Sequence, residues 1–139
     1  MIASISQARA QTSPVYDACV ARATTQTAMT MCAAEDLTRA QHALNVVYAK
    51  LLNEVSGHPE TLTKIRVAER AWISYRDAYL EAKFPAKAKQ AEYGSIFPME
   101  ADLVLADLTR QQTVALSNLL KTATGCNDSE TGCIHPSTE

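Results

Sequence analysis

Four cysteines and three histidines are the side chains of this sequence best suited to do chemistry: Cys19, Cys32, Cys126 and Cys133, with His42, His58 and His135. They raise three possibilities: a metal site, a reactive thiol, or disulfides. Zinc sites usually keep about two to four residues between paired cysteines, whereas six separate Cys126 from Cys133. The histidines fall in different segments. Neither His-Glu-x-x-His nor the Glu-x-x-His pairs of di-iron bundles occurs. No metal and no cofactor is therefore expected. The polar CNDSETGC segment reads as a loop closed by a Cys126–Cys133 disulfide. Cys19 and Cys32 have no histidine near them in sequence to activate a thiolate. Their spacing of thirteen suits a disulfide stapling a short helix onto a longer one. Four cysteines permit three pairings, which sequence alone does not separate.

Other catalytic patterns are missing. No G-x-S-x-G occurs. Glu35-Asp36 and Asp102…Asp107 are acidic groups, but adjacent helical residues point in different directions, so these read as solvated helix faces. Tyr93-Gly94-Ser95 offers a single glycine and reads as a turn, not a phosphate cradle. The segment AWISYRDAY, Ala71 to Tyr79, is denser. It holds the only tryptophan and two of the five tyrosines in a chain with 6% aromatics. On a helix, Trp72, Tyr75 and Tyr79 fall on one side, with Arg76 one turn beyond Trp72. Arg76 is then placed to lie over the indole, and Asp77 points away from it. The expected role is a helix-packing seam with a polar edge. No catalytic residue is assigned and the protein is not expected to be an enzyme.

The elements that position these residues are helices. Ala and Leu are abundant, while Gly is 4 and Pro 5, a balance that favours helix. Ser13-Pro14 predicts a helix start and a short helix to about Arg22. Thr24 or Thr25 caps the next, which runs uninterrupted to Val55. Its apolar positions Leu37, Leu44, Tyr48, Leu51 and Val55 keep the helical step. Ser56-Gly57 ends it, with Gly57 expected in the left-handed cap conformation. His58-Pro59-Glu60 opens a third helix, along which Leu62, Ile65, Ala68, Trp72, Tyr75 and Tyr79 form a stripe, until Pro85 stops it. Residues 85–97 form the one long connection. A last helix starts between Ser95 and Pro98, with Leu103, Leu108, Leu116, Leu119 and Leu120 on its buried side, and Gly125 can end it. The expected fold is all-α: an elongated up-down bundle of three long helices plus a short N-terminal helix. The short Ser-Gly turn makes the first two long helices antiparallel neighbours. The expected organisation is a leader over residues 1–12, a helical domain over 13–124 and an irregular, disulfide-closed tail over 125–139.

A chain of 139 residues can bury one core. A net charge of -2 gives no basic footprint for nucleic acid. No apolar run of about 18 residues marks a membrane span. ARAQ, Ala8 to Gln11, has the small-x-small form of a signal-peptidase site, although MIASISQ is short and polar for the apolar region that should precede it. With an even number of cysteines, a periplasmic or secreted location is expected.

Several fragments in order carry a resemblance. CVARATTQTAMTMCAAEDLTRAQHALNVVYAKL holds paired cysteines, then Leu44-Asn45 and Tyr48. AERAWISYRDAY follows, then Gly94-Ser95, then LADLTRQQTVAL. Over about residues 15–120 the chain resembles the domain family named for the N-terminal domain of the lysozyme inhibitor LprI, whose members are small exported helical proteins. Trp72, Tyr75, Arg76 and Asp77 form its most specific motif here. The chain departs from the pattern at Leu80 and Val104, where a second cysteine pair is usual, and at Gln41, where an aspartate is common. The tail cysteines lie outside the shared region.

The resemblance implies a lysozyme-type hydrolase as protein partner. An inhibitor needs a rigid scaffold and a protruding loop, and the segment 85–97 supplies one, with Lys87, Lys89 and Tyr93 as expected partner-binding residues. A lysine suits a cleft that carries paired carboxylates. The alternative is a non-inhibitory envelope domain that binds another protein through a helix face bearing Val67 and Ile73.

Overall fold

The protein is described by a computed structural model over residues 12–125. Its helices are α1 (Pro14–Arg22), α2 (Gln26–Glu54), α3 (Pro59–Lys83), α4 (Lys89–Tyr93) and α5 (Phe97–Thr124), with a 3-10 turn (Gly94–Ile96) between the last two. No strand occurs among the described residues. The fold is an all-α bundle of three long helices with a short N-terminal one. The leader before residue 12 and the Cys126–Cys133 loop lie outside the described residues.

Local chemistry sets the boundaries. The Ser13 hydroxyl accepts from the Tyr16 N–H at 3.1 Å, and Pro14 takes the first helical position of α1. The Thr25 hydroxyl accepts from the Ala28 N–H at 3.1 Å and opens α2. Pro59 and Pro98 lie in the first turns of α3 and α5, and Pro85 follows the end of α3. Gly57 differs from expectation. It has no positive φ; Val55 caps α2, and the turn is closed by His58 N–H to Val55 C=O at 2.9 Å. The left-handed glycine is instead Gly94, φ +72°, where α4 gives way to the 3-10 turn.

Packing is uneven. α5 lies closest to α2, and α1 rests on α2. Small buried side chains explain the α2–α5 approach: Ala33 and Ala40 on α2, Ala101, Ala106 and Thr109 on α5. Interaxial distance follows the bulk at the contact. α3 follows α2 after a short turn, yet it comes nearer to α5 than to α2. Its inward side chains are larger: Leu62, Ile65 and Trp72 pack on a core of Leu44, Leu51, Val55, Leu116 and Ala123. Leu51 and Val55 are fully buried, and truncating Leu51 to Ala is expected to cost about 2–5 kcal/mol. A second cluster joins Tyr16, Cys32 and Ala33 under α1. A third joins Phe84, Val104 and Leu108 beneath the α3–α4 connection.

Two expectations about faces are corrected. Ala68, Tyr75 and Tyr79 do not lie in the α3 seam; they are exposed. The inward side holds Thr61, Leu62, Ile65, Glu69, Trp72, Arg76 and Leu80, which shares Leu62, Ile65 and Trp72 with the predicted stripe. Asp36, expected on a solvated face, is 1% exposed.

Candidate functional site

Asp36 is the most deeply buried charged side chain among the described residues. Its Oδ2 accepts from Arg110 Nη1 at 2.8 Å, and its Oδ1 accepts from the Ser13 hydroxyl and, at 3.4 Å, from Arg39 Nη2. Three helices meet here: α1 through its cap, α2 through Asp36 and α5 through Arg110. Burial pushes the Asp36 carboxyl up, but the Ser13 hydroxyl and the two guanidinium groups outweigh it and hold the group below the usual carboxylate range. The Cys19–Cys32 disulfide, with Cα atoms 5.8 Å apart, ties α1 to α2 beside this hub. Burial, then the charges of Glu100, Asp17 and Asp36, raises the Tyr16 phenol. This region fixes α1 against α2 and α5. A sequence signal existed: Cys32, Asp36, Ala40 and Leu44 step by four, which places the aspartate inside an apolar stripe.

The AWISYRDAY segment lies in the C-terminal half of α3. The Arg76 guanidinium carbon sits 5.3 Å from the centre of the Trp72 ring, as the spacing predicts. Asp77 is not out of reach of Arg76. Its Oδ1 accepts from Arg76 Nε at 2.9 Å and Nη2 at 2.7 Å. The long arginine side chain folds back along the helix, so adjacency in sequence does not prevent the pair. Tyr75 and Tyr79 stand outside with ring centres 6.0 Å apart. Buried Glu69, two residues before this segment, accepts from Gln112 Nε2 of α5 at 2.9 Å and fastens α3 to α5.

Residues 85–97 are a folded element. Phe84, Tyr93 and Phe97 form a three-ring cluster, with centres 5.2 to 5.8 Å apart. The Tyr93 hydroxyl accepts from the Ala86 N–H at 3.1 Å. The Lys89 ammonium donates to Glu81 Oε2 at 2.9 Å and to the carbonyls of Phe84 at 2.8 Å and Ala86 at 3.1 Å. Lys89 and Tyr93 are thus turned inward and hold the segment in shape. Lys87 is exposed and makes no hydrogen bond or ion pair among the described residues. The geometry can present one cation on a braced support. No cluster of three or more potential metal ligands occurs among the described residues.

Residues 19–116 match the family described as lysozyme inhibitor LprI. The chain belongs to the LprI family. An uncharacterized protein of Rhizobium meliloti (strain 1021) is 32% identical over 114 residues, which take in 73% of this chain and 78% of the relative. No solved structure matches the chain. The LprI match encloses α2, α3, α4, the 3-10 turn and most of α5, with both residues of the Cys19–Cys32 bond. Leu80 and Val104, the positions where the resemblance leads one to expect cysteines, share the third apolar cluster, so packing joins α3 to α5 there. No helix among the described residues is long and apolar enough to cross a membrane.

Proposed function

We propose that this LprI-family protein is exported and inhibits a lysozyme-type cell-wall hydrolase, with residues 85–97 entering the partner's cleft and Lys87 as the leading cation. The observation that carries this reading is the bracing of that segment by Lys89, Tyr93 and the aromatic cluster. A loop already held in shape loses little conformational freedom on binding. Lysozyme-type clefts place two carboxyl groups around the scissile bond, and a lysine at the loop surface complements that charge. Lys89 and Tyr93 support binding by holding the loop that carries Lys87. The Cys19–Cys32 disulfide supports export, because such bonds persist in oxidising compartments. Lysozyme activity measured against rising protein concentration tests this. Dose-dependent inhibition is expected; neither inhibition nor binding at micromolar excess would sink it.

The second reading is an accessory domain that binds another envelope protein through α3. It is favoured by the exposed Val67, Ile73, Tyr75 and Tyr79 on that helix. A pull-down from periplasmic extract that returns a non-hydrolase, lost on Ile73→Asp, would select it.

A further inference from the structure

At the end of the bundle where α2 and α5 finish, a groove of about 410 Å³ is lined by Lys50, Asn53 and Glu54 of α2 and by Leu120, Lys121 and Thr124 of α5. It carries two cations against one anion. Neither Lys50 nor Lys121 has an ion-pair partner among the described residues. Leu120, part-buried at the edge of the main core, gives the groove an apolar floor. The described chain leaves α5 at Gly125, next to the lining residue Thr124. The fourteen residues that follow are CNDSETGCIHPSTE, which contain Asp128, Glu130 and Glu139 and no lysine or arginine. Ile134 is their one large aliphatic side chain.

We propose that this groove is the docking site of the chain's own C-terminal segment, with Asp128 and Glu130 set against Lys50 and Lys121. Reach permits it. Asp128 lies three residues beyond Gly125, about 10 Å of extended chain, and Lys121 sits about 6 Å back along the α5 axis from Gly125 at the helical rise. Charge favours it, since the segment is purely acidic apart from His135 and the groove is net basic. An apolar floor at Leu120 matches Ile134 as the aliphatic residue that follows. The docked segment would cover the last turns of α2 and α5. The proposal does not depend on how Cys126 and Cys133 are paired, nor on whether the protein inhibits a hydrolase.

Zero-length carbodiimide cross-linking of the dilute full chain, followed by peptide mapping of the monomer, tests the contact. Links from Lys50 or Lys121 to Asp128 or Glu130 within one chain are expected, with a yield that falls as salt rises. A monomer lacking them overturns the proposal, as does finding them only in a covalent dimer, which would make a second copy the occupant. Hydrogen exchange supplies the second measurement. Lys50→Glu with Lys121→Glu should speed exchange at residues 120–124 about two- to fivefold, the scale of exposed ion pairs. Adding Asp128→Lys and Glu130→Lys should restore the original rates. Unchanged rates in the first variant, or no restoration in the second, overturn it.

Discussion

Arg110 and Asp36 stand 74 positions apart in sequence, and their side chains meet at 2.8 Å in the seam between α5 and α2. The aspartate is almost completely buried, while the arginine keeps part of its surface in solvent. The carboxylate is therefore the member that most needs its partners. Ser13 supplies another, which makes the N-cap of α1 part of the same network.

Removing the arginine should hurt more than removing either of the other two partners. Arg110→Met leaves a buried carboxylate short of its closest cation, at a cost of about 3–5 kcal/mol. Arg39→Ala removes a longer contact of 3.4 Å from an exposed side chain and should cost under about 1 kcal/mol. Urea unfolding of both variants checks the order. Equal losses would show that Asp36 does not depend on Arg110.

The same carboxylate predicts an acid dependence. Its folded pKa lies below the unfolded value. Its contribution is thus complete above the unfolded pKa, near 4 by the ordinary aspartate value, and is lost as pH falls through the lower, folded pKa. Asp36→Asn should be less stable than the parent at pH 7, and the gap should narrow below about pH 4. Denaturant midpoints at pH 7, 4 and 3 measure it. A constant gap would mean that the charge of Asp36 does not contribute.

The helix starts were legible because they rest on local chemistry. Ser13-Pro14, Thr25 and Pro59 each act within one turn, so their neighbours in sequence are their neighbours in space. The bundle followed from apolar spacing for the same reason. Asp36 was missed because Glu35-Asp36 looks like any surface acid pair until Arg110 is brought from another helix. The second half of the α3 seam was misread because the two rows share Leu62, Ile65 and Trp72, and beyond Trp72 the row with more aromatics was the exposed one. Aromatic content drew attention to the motif, but burial was decided by which row faced α5 through Glu69 and Gln112. The long connection was read as a loop because its order comes from irregular side-chain contacts of Lys89 and Tyr93 to Glu81, Phe84 and Ala86, which no periodicity encodes.

Breaking the Cys19–Cys32 bond should release α1 first. A closed loop of this length is worth about 3 kcal/mol. The Cys19→Ser, Cys32→Ser double variant is expected to lose roughly that amount. Amide exchange should rise through Pro14–Arg22 well before the centres of α2 and α5 respond. Uniform loss of protection would show that α1 is not a separable unit.

Arg76 should report on Trp72. The guanidinium lies over the only indole in the chain. Arg76→Ala uncovers the ring and should shift tryptophan emission to the red, with a stability loss of about 1 kcal/mol. Tyr75→Ser, on the exposed row, should leave emission and stability within about 0.5 kcal/mol of the parent. A large destabilisation by Tyr75→Ser would restore the tyrosine to the packed seam.

Lys87 and Lys89 separate contact from support in the proposed inhibitor. Lys87 is exposed and makes no hydrogen bond or ion pair among the described residues, so Lys87→Glu should leave the melting curve unchanged. If Lys87 faces an acidic cleft, the reversal should weaken inhibition of the hydrolase by tenfold or more, about 1.4 kcal/mol. Lys89→Met acts differently. It removes the ammonium from two backbone carbonyls and Glu81, and should speed amide exchange across residues 84–93. Its effect on inhibition should then be lessened when the loop is made rigid by other means, such as a designed disulfide across its base. Should Lys87→Glu inhibit as well as the parent while Ile73→Asp does not, the working surface is the outer face of α3 and the loop only caps the bundle.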